Sequence, residues 1–294
     1  MGRSNKHGLL PPPWLAYPQL ERESLGWRMG AGADYIDRFG EWWVTMDADK
    51  KARYRTLFPE PVVWKGWWRN EDNCERFGYG EYLTELWRPL GEPKYSKAWL
   101  CQSMAEDKAQ ELYLFWTPLS EESETENISK TCFSPLWMQE FVSGVSTYSC
   151  VEQFVSAQMA DLFGDKTVRE EIMKCDDPRW IKALGRRCEG FNAEIWDMVK
   201  YTVMLNGNWY KFSQNKRLRD FLLSTGDRVL VYASPYDNVW GSMFAEGDDK
   251  VNFPENWEGQ NLLGFALMEV RDELRRVWKN EMLCDFDVVE PSRE

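Results

Sequence analysis

Tyr148-Ser149-Cys150-Val151-Glu152-Gln153-Phe154-Val155-Ser156-Ala157-Gln158-Met159-Ala160-Asp161-Leu162-Phe163-Gly164 is the stretch on which the reading of this 294-residue chain turns. Val151, Phe154, Val155, Met159, Leu162 and Phe163 recur at helical spacing, and Gly164 supplies a stop. The spacing predicts one helix with a single carboxylate, Glu152, in its first turn. There the positive end of the helix dipole favours the ionised acid. Ser156 and Met159 fall one and two turns further along the same side. Taken alone, Glu152 is an ordinary first-turn acid on a surface helix. The rest of the sequence gives it a different weight.

Working outward, residues 130–137 form a turn before the helix, with Ser134-Pro135 at its centre. A polar, acidic loop (residues 120–129) precedes it, and before that the apolar run 111–116 reads as a buried strand. On the other side, Asp177 caps a helix that has Pro178 in its first position. Asn192 caps a second, which carries Trp196 and Met204, and Asn215 caps a third, with Gly226 as its stop. Residues 229–233 are a short strand delivering the loop 234–241. A last long helix is expected from about residue 260 to 279, with Leu263, Leu267, Val270 and Leu274 as its stripe.

Helices predominate, with short strands for a small β-sheet, after an aromatic-rich N-terminal segment. The expected organisation is a disordered tail (1–13), the aromatic-rich segment (14–95), the principal domain (96–280) and a C-terminal tail (281–294). Within the segment, helices are expected at 35–43 and 47–58. Trp64-Lys65-Gly66-Trp67-Trp68 reads as packing, or as a lid or stacking wall.

Composition narrows the chemistry. A net charge of −12 argues against tight binding to a polyanion such as DNA. No apolar run approaches the ~18 residues of a membrane helix, and the polar start has no signal-peptide character. Seven cysteines without a C-x-x-C pair fit unpaired thiols in a reducing cytoplasm. The single histidine, His7, lies in the tail. That excludes a Ser-His-Asp triad, a Cys-His pair and a histidine-rich zinc site. Acid–base chemistry falls to Asp, Glu, Lys, Tyr or Cys.

Seven stretches together resemble the NADAR, or YbiA-like, family of N-glycosidases. They are Leu112-Tyr113-Leu114-Phe115-Trp116, residues 148–164, Ala183-Leu184-Gly185-Arg186-Arg187, Lys211-Phe212-Ser213-Gln214-Asn215, Leu222-Leu223-Ser224-Thr225-Gly226, residues 233–241, and residues 261–271. They keep the family order over roughly residues 110–276. The resemblance implies an α+β domain that hydrolyses N-glycosidic bonds. Family substrates include ribosylated pyrimidine intermediates of riboflavin synthesis and ADP-ribose attached to guanine. The resemblance carries the key carboxylate onto Glu152 and further pocket positions onto Trp196, Asp237 and Trp240, with Lys211 and Arg186 nearby and Ser134 in the preceding turn. The residue types suit the reaction. A carboxylate stabilises an oxocarbenium-like state or activates water, Trp faces hold a flat base, and Arg or Lys binds phosphate.

The chain also departs from the family pattern. Gln153 stands where the family has His, Met159 where it has Lys, Pro135 follows Ser134, and Gly241-Ser242-Met243 replaces a Gly-x-Gly. With a thioether at residue 159, Glu152 is expected to titrate higher than beside a lysine, against an apolar wall.

The reading is a cytoplasmic hydrolase of a small ribosylated heterocycle, independent of metal and cofactor. Glu152 acts as general base or cation stabiliser, Asp237 is its polar partner, and Trp240 and Trp196 are walls. Lys211, Arg186, Ser134 and Met159 are further substrate contacts. Two readings from other classes stand beside it. One is a non-catalytic nucleotide- or ADP-ribose-binding module. The other is an interaction protein working through its aromatic N-terminal segment.

Overall fold

Side-chain caps open some of the helices, with Asp47, Asp177 and Asn192 each accepting from a backbone N–H of the first turn. In the computed structural model, which describes residues 8–69, 93–106, 110–116 and 128–289, the chain divides into two units. One comprises Met1–Trp87, Val142–Ser146 and Glu273–Glu294, and the other Arg88–Phe141 and Thr147–Asp272.

The first unit contains α1 (Pro13–Ala16), α2 (Ala31–Val44) and α3 (Ala48–Leu57). Asp47 caps α3 by accepting from Lys50 N at 2.8 Å. Yet α3 buries only Tyr54, so that one ring anchors it. Tyr54 meets Phe58 at 4.7 Å between centroids and Trp43 edge-on at 5.6 Å. Trp64 closes on Trp14 at 5.5 Å and on Trp27 at 5.8 Å. Each such pair adds about 0.5–1.5 kcal/mol beyond its area burial, so ring contacts outweigh helix propensity in this unit. The Trp64–Trp68 stretch is packing: Trp64 is buried, and the Glu60 carboxylate accepts from Gly66 N and Trp68 N.

Residues 8–13, expected to end a disordered tail, are ordered. Prolines leave carbonyls without neighbouring N–H groups, and buried phenols satisfy them. Tyr35 Oη donates to Pro11 O and Tyr54 Oη to Leu10 O, both at 2.6 Å. Leu9 exchanges backbone bonds with Leu283 and Asp285. Residues 281–289, also expected as tail, thereby form two short 3-10 turns, Glu281–Leu283 and Phe286–Val288.

The second unit runs through α4 (Lys97–Ala105), β1 (Leu112–Phe115), the hairpin strands β2 (Phe141–Ser143) and β3 (Ser146–Tyr148), α5 (Val151–Leu162), α6 (Lys166–Met173), α7 (Pro178–Gly185), α8 (Ala193–Gln214), α9 (Lys216–Ser224), β4 (Val229–Tyr232) and α10 (Leu262–Val277), the hairpin and α10 extending into the first unit. Among the described residues the strands form two separate pairs: β2 with β3, and β1 parallel to β4 in the register Leu112↔Val229 to Phe115↔Tyr232. The protein is thus α+β and mostly helical, as expected, with two small sheets in place of one. Of the expected acidic loop, residues 120–127 lie outside the described residues.

Asp177 and Asn192 cap α7 and α8 as expected. Asn215 departs from expectation. Its side chain donates backward to Lys211 O at 2.8 Å and closes α8 instead of opening α9.

The polar residues of the 261–271 stretch have structural partners. Asn261, at φ 54°, accepts from Tyr232 N at 2.9 Å and donates to Leu230 O at 3.0 Å, completing the second edge of β4 as a strand would. Gly264 allows this approach, because a Cβ there would stand 2.1 Å from Leu230 O. Buried Glu269 accepts from Lys94 N and Tyr201 Oη, and buried Arg271 donates to Thr225 Oγ1 and Arg228 O.

Candidate active site

The first turn of a helix has unpaired N–H groups that need acceptors. Cys150 precedes α5 without a side-chain cap, and the turn before it provides one: Glu152 N donates to Pro135 O at 2.8 Å. That turn is held from behind. Ser134 Oγ accepts from Leu136 N, and Lys211 Nζ donates to Cys132 O at 2.7 Å and Ser134 O at 3.2 Å. Lys211 has no exposed surface. Lys211 and Ser134, expected as substrate contacts, therefore stand in the wall that fixes the backbone of Glu152.

Burial lowers the Lys211 pKa to about 8, partly countered by the Cys132 and Cys150 thiols. Burial raises those thiols to about 12 and about 11. Between about pH 8 and its unfolded value, Lys211 loses its proton in the folded chain first, so its contribution to stability rises with pH. The thiols work the other way above their ordinary value of 9.0, because the folded chain retains their protons. In Lys211→Met the lysine part vanishes. Denaturant titrations from about pH 8 upward should give a wild-type minus variant difference that grows with pH. A flat difference would mean that Lys211 is solvated.

Gln153, in the position where the resemblance places histidine, is buried and fully engaged. Its Oε1 accepts from Ser149 N at 2.7 Å and Ser149 Oγ at 3.1 Å. Its Nε2 donates to Ile172 O and Cys175 O at the end of α6.

The side chain of Glu152 is partly buried and faces three charged groups. Its pKa is raised, first by burial and then by the negative charge of Asp237, while Lys182 on α7 and Arg186 just past its end pull it down. Burial is the largest cause, and Met159 is not among the causes. A lysine does act on Glu152, from α7 instead of α5. Met159 packs toward α7, where the missing Cβ of Gly185 leaves room: a Cβ there would be 2.8 Å from Ser156 Oγ and 3.4 Å from Met159 Cε.

Asp237 has two functions, one for each oxygen. Oδ1 accepts from Val239 N at 3.1 Å and Trp240 N at 2.8 Å, which fixes the loop after β4, and Oδ2 lies 3.7 Å from Lys182 Nζ. Tyr232, the last residue of β4, is nearly buried. Its pKa is pushed well up by burial and by the charges of Asp237 and Glu152, so it is a neutral phenol.

Of the expected residues, the structure brings together Glu152, Asp237 and Arg186, with Trp240 held in the Asp237 turn. Trp196 stands on a separate element, in the first turn of α8. Sequence reading missed Lys182 and Tyr232. The signals were Lys182 four residues before Arg186, on the same helix face, and Tyr232 at the end of the strand that leads to Asp237.

Met243 ends the altered Gly-x-Gly at φ 68°, a left-handed conformation that suits glycine. Met243→Gly should relieve about 1 kcal/mol of strain. Part of that is offset by the added freedom of the unfolded chain. A small rise in the denaturation midpoint is expected, and a fall would show that the methionine side chain stabilises the loop by more than its strain.

The arrangement offers a half-buried carboxylate, a second carboxylate, a lysine and a neutral phenol. Among the described residues, no group of three or more His, Cys, Asp or Glu is placed to hold a metal ion, and no helix is long and apolar enough to cross a membrane.

The sequence pattern of the NADAR domain matches residues 115–275, more than half of the chain. The chain belongs to the NADAR family. It is 43% identical over 142 residues to N-glycosidase R617 of Acanthamoeba polyphaga mimivirus, a match spanning 47% of this chain and 83% of that protein. It is 33% identical over 128 residues to N-glycosidase YbiA of Escherichia coli (strain K12), spanning 44% and 71%. The NMR structure of the E. coli protein YbiA matches at 26% identity and a TM-score of 0.44, over 56% of this chain and 86% of that one. The NADAR match runs from the last residue of β1 into α10, so Glu152, Lys182, Arg186, Lys211, Tyr232 and Asp237 all lie inside it.

Proposed function

We propose that this NADAR protein hydrolyses the N-glycosidic bond of a small ribosylated heterocycle, either an intermediate of the riboflavin-synthesis type or an ADP-ribosylated base. The observation that carries the reading is the half-buried Glu152 facing Asp237 and Lys182 within the NADAR region. As the sugar–nitrogen bond lengthens, positive charge develops on the ribose, and a nearby carboxylate stabilises it or takes a proton from the attacking water. In this reading Glu152 does that work, Asp237 orients Lys182, and Trp240 and Trp196 hold the base, with Arg186 toward its anionic substituents. The activity is assigned to residues 96–280. It needs neither metal nor cofactor, so it persists in chelator. The described cysteines are free, which fits a reducing compartment such as the cytoplasm.

The test is a survey of ribosylated pyrimidines and ADP-ribosylated guanine that follows release of free ribose, ribose phosphate or ADP-ribose. Release that disappears in Glu152→Gln supports the reading. Tight binding of ADP-ribose without any hydrolysis would replace it with the non-catalytic binding module.

A further inference from the structure

Glu152 and Asp237 are two carboxylates facing one lysine. Lys182 Nζ lies 3.7 Å from Asp237 Oδ2, with the two side chains 40% and 18% exposed. Lys182 is also the foremost opposite charge acting on Glu152, ahead of the exposed Arg186. The helix that carries it is fixed against α5 at Gly185, whose hydrogen faces Ser156 and Met159. A Cβ at residue 185 would stand 2.8 Å from Ser156 Oγ and 3.2 Å from Ser156 Cβ, so the close approach of the two helices relies on the glycine.

We propose that Lys182 is a positioning residue of the site, whose ammonium, paired with Asp237 Oδ2, supplies positive charge to Glu152 as well. A cation beside a carboxylate favours its ionised form, and a second carboxylate nearby disfavours it. The remaining groups around Glu152 do not replace Lys182. Just past the end of α7, Arg186 is exposed and screened by solvent. On β4, Tyr232 is neutral, and ahead of α5 so is the buried Cys150 thiol. On α5 itself, Ser156 and Met159 carry no charge. Lys182 thus favours the ionised form of Glu152, against the raising effect of burial.

The consequence for turnover rests on the proposed hydrolase, but the titration that tests it does not. The full-length protein labelled with carboxyl-13C glutamate is titrated by NMR, and the Glu152 resonance is identified by its loss in Glu152→Gln. In Lys182→Met the midpoint of Glu152 should move up by about one pH unit. Lys182→Arg should restore most of that shift, and Arg186→Met should move the midpoint less than Lys182→Met does. Asp237→Asn, which keeps an oxygen for Val239 N and Trp240 N, should move it down, and this gives a second reading if Lys182→Met does not fold. An unmoved midpoint in either Lys182→Met or Asp237→Asn overturns the proposal. Should the shifts appear in a protein that hydrolyses no ribosylated substrate, the positioning role stands and the hydrolase reading falls. If the protein does hydrolyse one, the acidic limb of its kcat profile moves with the Glu152 midpoint.

Discussion

Glu152→Gln is expected to lower hydrolysis by about a thousandfold, the upper part of the range for losing a general base or charge-stabilising group, and to leave the fold intact. The backbone bond from residue 152 to Pro135 O is unaffected by the change, and the amide is isosteric with the acid. Stability should rise slightly at neutral pH. The pKa of Glu152 is raised in the folded chain, so folding favours its protonated form, and its contribution falls as pH rises through the folded value. The amide has no such dependence. The measurement is turnover beside urea denaturation at neutral and mildly acidic pH. A variant that keeps full turnover would remove Glu152 from the mechanism. One that unfolds would show the carboxylate to be structural.

Gln153→Ala has the largest expected effect on stability, a loss of about 3 kcal/mol. It removes an amide that serves two donors at Ser149 and two acceptors, Ile172 O and Cys175 O. Buried groups left without partners cost about 1–3 kcal/mol each, reduced where water enters. The loss falls between the start of α5 and the end of α6, one residue from Glu152, so kcat should decline along with the denaturation midpoint. A midpoint close to that of the wild type would mean that the four partners find other bonds, and that the amide is an accessory to the helix junction.

The local features of the fold were legible in the sequence. Asp47, Asp177 and Asn192 cap the helices they precede because an N-cap bond spans only two or three residues. Glu152 was placed in a first turn by the apolar spacing of its own helix. Of the polar groups around Glu152, the family resemblance reached Asp237 and Arg186, while Lys182 and Tyr232 escaped because they come from other elements and meet it only through tertiary approach. The ordered ends escaped for the same reason: the phenols that bond Pro11 and Leu10 lie 24 and 44 residues away. Lys211 could have been read better. It continues the buried face marked by Tyr201, Met204 and Asn208 at helical spacing. A lysine on such a face has to find acceptors inside, and it does so in the turn that orients Glu152.

The Asn261 side chain also bears on how this protein behaves in a crowded solution. A two-stranded parallel sheet has two outer edges, and an open edge is a template on which another chain can add a strand. Along β4 that edge is occupied at Leu230 and Tyr232 by one side-chain amide, and α10 begins directly behind it. The strand is fully buried and apolar, the composition that aggregates readily when its backbone is bare. Asn261 thus occupies the edge positions that an added strand would need. Its replacement by an apolar residue would leave Tyr232 N and Leu230 O without these partners and open that edge of β4 to another strand.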